Sequence, residues 1–257
     1  MTKNRIYSAI LACIIGIIQL CVYGAEQKNM CKIICHRGLS AYEPENTIPA
    51  FKACDKPGIY GVECDIRETS DNEFVIMHDA DVDRMTDGKG SIKDMSLKEI
   101  KALNIDKGNN IEKYKELKVP ALNEYLSVCN KINKIPVIEI KDIKKTHITK
   151  FLKIIEEYEF TNTAIIISSN KDILLNIKKK APNIHIQWLC NMSAENIDFC
   201  SKSGFDIDVE GAVFKEELLK YAHGKNVKVN IWTVDNLEQL KMFRERGVDF
   251  ITTNKFR

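Results

Sequence analysis

Short runs rich in β-branched residues alternate along the chain with longer stretches in which apolar residues recur every three or four positions. The short runs predict eight strands, at 32–35, 61–66, 135–140, 164–168, 184–189, 206–209, 227–233 and 250–252. The longer stretches predict helices at 48–53, 122–133, 146–158, 171–180, 194–203, 215–223 and 237–246. Such alternation implies parallel strands joined by helical crossovers. Eight strands fit a closed (β/α)8 barrel of the TIM type, and the chain has close to the length such a barrel needs. A doubly wound open sheet has the same periodicity, so the pattern alone leaves closure open.

One connection breaks the rhythm. More than fifty residues separate the second predicted strand from the helix that begins at Leu122, where connections in such folds usually take two to six. The stretch, at about 67–118, holds a strand-like 73–77 and a helix start at Ser96, whose Ser96-Leu97-Lys98-Glu99 has capping-box spacing. It reads as a small excursion above the barrel, inserted after the second strand.

The N-terminus has a different character. Lys3 and Arg5 precede a charge-free run at 6–23, and Val22-Tyr23-Gly24 offers small residues before Ala25. A positive start, an apolar middle and a small-residue end read as a secretory signal peptide at 1–24, leaving a barrel domain at 25–257. The rival reading is an uncleaved membrane anchor. Removal of the leader would leave no membrane span and would place the protein outside the cytoplasm, periplasmic or secreted.

Composition adds two constraints. Without Lys3 and Arg5 the chain keeps 36 basic and 36 acidic residues, so no excess of positive charge points to a nucleic-acid partner. The run Lys178-Lys179-Lys180 reads as a solvated helix face. Seven of the nine cysteines lie beyond residue 24. They show neither a CxxC pair nor a zinc spacing, and several sit in apolar runs as small hydrophobes. One disulfide is compatible with export, and the spacing selects no pair.

The chemistry gathers at the C-terminal ends of the predicted strands, where a barrel of this kind opens its active-site mouth. His36 and Arg37 follow the first strand. Glu63 and Asp65, two apart near the end of the second, leave the same face. Glu139 and Lys141 repeat that arrangement on the third, and Trp232 lies near the end of the seventh. Three carboxylates brought together need a compensating cation, and their hard oxygens suit Ca2+ or Mg2+. Arg37 and Lys141 add positive charge that favours an anionic group such as phosphate. His36, with His78 at the end of EFVIMHD in the insert, supplies a general acid–base pair. Taken singly, each has a plainer reading: a strand-end charge, a turn at His78-Asp79, a simple ion pair of Glu139 with Lys141, a core tryptophan. Joint placement favours the functional one. His147, His185 and His223 lack such company and read as structural.

The chain resembles the glycerophosphodiester phosphodiesterase family. The matching segments are HRG at 36–38, PENT at 44–47, GVECDIRETSDNEFVIMHD at 61–79, DRMTDGKG at 83–90, VPALNEYL at 119–126, IEIK at 138–141, IWTV at 231–234 and GVDFITTN at 247–254. The resemblance implies a (β/α)8 barrel with a small insertion after the second strand. It implies His36 and His78 as the acid–base pair and Glu63, Asp65 and Glu139 as holders of a divalent metal, Ca2+ or Mg2+. Arg37 and Lys141 would bind the phosphate of a small-molecule glycerophosphodiester, Trp232 would line the pocket, and Glu45 would support the His36 loop. The implied products are glycerol 3-phosphate and an alcohol.

Three departures stand out. Met85 replaces a usual threonine, Ser168-Ser169 replaces a common Ser-Phe, and no helix follows the eighth strand, which is expected to leave part of the outer face bare for another segment or a partner. Two other functions fit the broad pattern. A phospholipase D-like hydrolase of lysophospholipids or sphingomyelin would call for an extended apolar loop, and none is evident. A non-catalytic phosphodiester-binding barrel would be expected to lack a histidine or a carboxylate, and none is missing. The oligomeric state is not legible.

Overall fold

The computed structural model describes residues 31–256; the apolar run at 6–23 and the leader it suggests lie outside them. Eight parallel strands close into a barrel: β1 (Lys32–Cys35), β2 (Ile59–Glu68), β4 (Ile135–Asp142), β5 (Ile165–Ser168), β6 (His185–Leu189), β7 (Asp206–Glu210), β8 (Val229–Trp232) and β9 (Phe250–Thr253). Pairing of β1 with both β2 and β9 completes the circle, which decides between the barrel and the open sheet. A ninth strand, β3 (Phe74–Ile76), pairs antiparallel with the end of β2.

The strand pleat divides the side chains cleanly. Cys35, Val62, Ile138, Ile166, Ile207, Val229 and Ile251 point outward into the layer beneath the helices. Ile34, Val137, Ile165, Ile167 and Phe250 fill the barrel interior. The helices are α1 (Ile48–Lys52), α2 (Leu97–Ala102), α3 (Leu122–Lys131), α4 (Ile148–Glu157), α5 (Lys171–Lys180), α6 (Ala194–Ser203), α7 (Glu216–Gly224) and α8 (Leu237–Glu245). Their starts are set locally: Thr47, Asn170, Ser193 and Asn236 accept hydrogen bonds from first-turn backbone N–H groups. Ser96 and Glu99 form the capping box that opens α2.

The segment between β2 and α3 builds a small core of its own from Val75, Met77, Val82, Met85, Ile92, Ile100, Ile105, Leu117 and Val119. Met85, the departure from the family's threonine, is buried in it. Strand β2 runs to Glu68, beyond the expected end at 66, because Arg67 and Glu68 pair with Val75 and Phe74 of β3. The hairpin thereby lifts His78 to the mouth of the barrel.

Two expectations need correction. The outer face beside β9 is not bare: Ile33 and Ile251 are buried, and Phe256 packs against the same cluster. The lysine run at the end of α5 is not wholly solvated either, since half-buried Lys178 donates to the Ile184 carbonyl at 3.2 Å. All seven described cysteines are free thiols, five of them buried.

One side chain pins two strands of the barrel wall together. Val62 lies opposite Pro136 in the parallel pairing of β2 with β4, and Val137 is the next residue along. The Tyr125 hydroxyl of α3, fully enclosed, bridges the two strands there: it donates to the Val62 carbonyl at 2.6 Å and accepts from Val137 N–H at 3.0 Å. Tyr125→Phe leaves a buried carbonyl and a buried N–H unpaired. It is expected to cost about 1–3 kcal/mol, read as a lower urea midpoint at unchanged slope; an unaltered midpoint would show that the hydroxyl is not needed.

Candidate active site

The mouth of the barrel is built from strand ends that demand polar partners. After β1 the chain turns sharply: Arg37 adopts a left-handed backbone (φ 56°), followed by Gly38 (φ 76°). A side chain at Gly38 would sit 2.6 Å from the Ala50 backbone, so only glycine lets this turn lie on α1. The turn aims Arg37 N–H at Glu63 Oε2, 2.6 Å away.

Glu63, Asp65 and Glu139 each present an oxygen within 4.8 Å of the others. Glu63 and Asp65 are buried, yet Glu63 Oε1 and Asp65 Oδ1 are enclosed without a hydrogen-bond partner. Asp65 is flanked by Arg37 Nε at 3.4 Å and Lys141 Nζ at 3.6 Å, and it accepts from Asn46 Nδ2 at 2.8 Å. Lys141 also donates to Glu139 at 2.8 Å along the same strand, so theirs is not the simple cross-strand pair that the plainer reading entertained.

The electrostatics follow from this. Burial disfavours charge on Asp65, but Arg37, Lys141 and Asn46 overcome it and hold its carboxyl below the usual range. Glu63 is pushed well above that range by burial and then by Asp65 and Glu139. Glu139 is raised by burial and by Asp65, with Lys141 opposing. Two cations do not satisfy three carboxylates. The two enclosed oxygens and the hard donor set fit a divalent cation such as Ca2+ or Mg2+.

Both imidazoles are oriented by a neighbour. His36 Nδ1 donates to Asn254 Oδ1 at 2.8 Å, and Asn254 Nδ2 donates in turn to Asp235 Oδ2 at 2.7 Å. That fixes the tautomer and leaves His36 Nε2 as the accepting nitrogen. Burial, and then the charge of Arg37, hold His36 below its ordinary value, so the ring is neutral at pH 7. His78 Nδ1 donates to Asp79 Oδ1 at 2.9 Å, and its carbonyl accepts from Arg67 Nε and Nη2 at 3.0 and 2.6 Å.

His36, Arg37, Glu63, His78, Glu139, Lys141 and Trp232 line one cavity of about 190 Å3. Asp65 lies behind it, and Glu45 holds Arg37 Nη1 from the side at 3.0 Å. All nine residues singled out in the sequence therefore meet at this mouth. Trp232 faces the cavity, with Nε1 unpartnered, instead of filling the core. Ser168 is buried on Ile140, while Ser169, where the family often has phenylalanine, reaches the cavity wall. His147 pairs with Glu68 and His223 with Asp249, both apart from the cavity. A larger cavity of about 540 Å3 opens at the opposite end, around Lys32, Lys228 and Asp249, far from this chemistry.

Several residues of the site stand in no recognisable sequence pattern. Asn254 and Asp235 orient His36; Asp79 and Arg84 brace His78; Asp208 stands in the cavity wall. Burial, and then Glu139, raise the Asp208 carboxyl well above its ordinary range. One signal was available: Asp206, Asp208 and Glu210 make one face of β7 entirely acidic.

Residues 36–257 match the Glycerophosphoryl diester phosphodiesterase family. This chain belongs to that family. It is a phosphodiester hydrolase by class. A glycerophosphodiester phosphodiesterase of Caldanaerobacter subterraneus subsp. tengcongensis is 35% identical over 233 residues, covering 86% of this chain and 93% of the relative. A phosphodiesterase from Oleispira antarctica, solved with its product sn-glycerol-3-phosphate, superposes with a TM-score of 0.81 at 22% identity, over 88% of this chain and 93% of that one. At that identity the likeness is one of fold. A glycerophosphodiester phosphodiesterase from Parabacteroides distasonis gives a TM-score of 0.75 at 26% identity, over 88% and 94% of the two chains.

An ionic chain joins the insert to the barrel. Arg84 donates to Asp79 and, at 2.7 Å, to Glu45, which also holds Arg37. Burial opposes ionisation of Asp79, but the hydrogen bonds from Arg84 and His78 prevail and bring its carboxyl down from 3.8 to about 2. A lowered carboxyl stabilises the fold above its unfolded value and loses that contribution as pH falls through the folded one. Arg84→Ala is therefore expected to destabilise fully at about pH 5 and above. The gap between variant and wild type should close between about pH 4 and pH 2, as followed by urea midpoints across pH. A gap that stays constant over that window would exclude the pairing.

Proposed function

We propose that this chain hydrolyses glycerophosphodiesters to glycerol 3-phosphate and an alcohol, with His36 and His78 carrying the protons and a divalent cation, Ca2+ or Mg2+, held by Glu63, Asp65 and Glu139. The observation that carries the proposal is the convergence of two oriented imidazoles, two cations, Glu63 and Glu139 on one cavity at the barrel mouth, with Asp65 clustered behind them. The names of its relatives agree: the 35% identical protein is a glycerophosphodiester phosphodiesterase, and the Oleispira protein holds sn-glycerol-3-phosphate as its product.

Each residue's role follows from its surroundings. Arg37 and Lys141 draw the phosphate to the rim and hold its non-bridging oxygens. A bound divalent cation would offset the negative charge on the phosphorus oxygens. Neutral His36, its Nδ1–H committed to Asn254, presents a lone pair at Nε2 and removes a proton from the water that attacks phosphorus. His78, with Asp79 as counter-charge, delivers a proton to the departing alcohol. The surface beside His36, formed by Ser40, Glu45, Asn109, Asp235 and Lys255, is polar and charged, which suits a small polar alcohol better than an acyl chain. That favours this reading over a phospholipase D-like activity on lysophospholipids or sphingomyelin, and the intact set of histidines and carboxylates favours it over a binding-only barrel.

The test is turnover of glycerophosphocholine, glycerophosphoethanolamine and lysophosphatidylcholine, with coupled detection of glycerol 3-phosphate. The two glycerophosphodiesters should release it and the lysolipid should not. His36→Ala or His78→Ala should lower turnover by about two to four orders of magnitude, the double variant by much less than the product of the two losses, and His147→Ala not at all. No glycerol 3-phosphate from either diester overturns the function. Near-wild-type turnover in one histidine variant removes that residue from the chemistry.

A further inference from the structure

Among the titratable groups of the mouth, Asp208 is the one no described residue claims. It is 3% exposed, it lines the cavity, and its Oδ1 is enclosed without a hydrogen-bond partner. The two cations are engaged elsewhere: Arg37 with Glu45 and Asp65, Lys141 with Glu139 and Asp65. The neighbouring buried polar residues satisfy one another, Asn230 Nδ2 donating to Gln187 Oε1 at 2.9 Å and Thr252 Oγ1 to Asn230 Oδ1 at 3.1 Å, and neither bond includes Asp208. A buried carboxyl with no partner costs stability, so its presence in a cavity wall calls for a ligand that repays it.

A second orphan stands beside it. Trp232 Nε1 is enclosed without an acceptor and its side chain lines the same cavity. Asp208 pairs with Asn230, and Trp232 lies two residues further along β8, so the two are diagonal neighbours on the inward faces of adjacent strands. One offers an acceptor and the other a donor. A primary ammonium cannot accept from the indole, and a quaternary ammonium can neither donate nor accept. A hydroxyl does both.

We propose that Asp208 is a specificity-determining residue that accepts a hydrogen bond from a hydroxyl of the substrate's glycerol moiety, with Trp232 Nε1 donating to the same polyol. The proposal rests on the glycerophosphodiesterase reading and adds to it the group by which this chain tells a glycerol phosphate from other phosphate esters. Asp208 touches the part of the substrate that carries no reacting bond, so its effect falls on discrimination and not on proton transfer. A site built to hydrogen-bond a hydroxyl rejects the analogue lacking it, because its buried polar groups are then left unpaired.

The test is calorimetric titration of the full chain, with Mg2+ or Ca2+ present, using glycerol 3-phosphate, propyl phosphate and phosphoethanolamine as probes. Wild type should bind glycerol 3-phosphate about tenfold or more tightly than propyl phosphate. Asp208→Leu should reduce that preference below about twofold while leaving propyl phosphate affinity nearly unchanged, and should raise the melting temperature by removing an unpaired buried acid. Asp208→Asn keeps an accepting oxygen and should retain most of the preference. A preference that survives Asp208→Leu, or equal losses for both esters, overturns the proposal. So does a wild type that favours phosphoethanolamine and loses that preference on substitution, which would make Asp208 a cation site. A wild type that releases glycerol 3-phosphate from glycerophosphocholine yet binds both esters equally overturns this inference alone. A wild type that releases none overturns the underlying reading, and this inference falls with it.

Discussion

Glu63, Asp65 and Glu139 stand on neighbouring strands with their oxygens within 4.8 Å of one another, two of them buried. Negative charge packed that closely in a low-dielectric interior is costly unless it is met by positive charge and by hydrogen bonds. Much of the surrounding structure answers that demand. The left-handed turn at Arg37 delivers a backbone N–H to Glu63, the Arg37 and Lys141 side chains flank Asp65, and Asn46 bonds Asp65 from the loop before α1. What they leave unmet, an enclosed oxygen on each of Glu63 and Asp65, is the place a divalent cation fits.

The same economy explains why the insert belongs to the site. Strand β3 extends β2 outward, and Arg67 holds the His78 carbonyl so that the imidazole reaches the cavity from outside the barrel. Arg84 then ties Asp79 to Glu45, and Glu45 ties back to Arg37. A single line of alternating charges therefore runs from the insert's histidine to the buried carboxylates. Displacement of the insert would move one imidazole and loosen the arginine beside Asp65 together.

Much of this was legible in the sequence, for identifiable reasons. Strands buried on both faces leave uninterrupted β-branched runs, so the eight barrel strands could be located to within a few residues, and charges at their ends marked the mouth. Glu63-x-Asp65 and Glu139-x-Lys141 could be read because a two-residue period puts both side chains on one face. Closure could not be read, since it depends on the pairing of β1 with β9 across the whole chain. Nor could the packing of Phe256 against the core, which follows no periodic pattern. Asn254 and Asp235 escaped notice because their meaning comes from meeting His36, 218 positions from Asn254. Asp208 had no motif to announce it, only an acidic inward face on a strand that should prefer apolar ones.

The charge balance at the strand ends is the central claim, and thermal melting of cation-free protein titrated with Ca2+ or Mg2+ tests it most directly. The melting temperature should rise as one ion binds per chain, by an amount corresponding to about 2.7 kcal/mol at a hundredfold excess over the dissociation constant. Glu63→Gln should move that rise to higher cation concentration while leaving the apo fold intact. A melting temperature indifferent to both cations, with turnover undiminished after exhaustive chelation and no metal found by elemental analysis, would contradict the account.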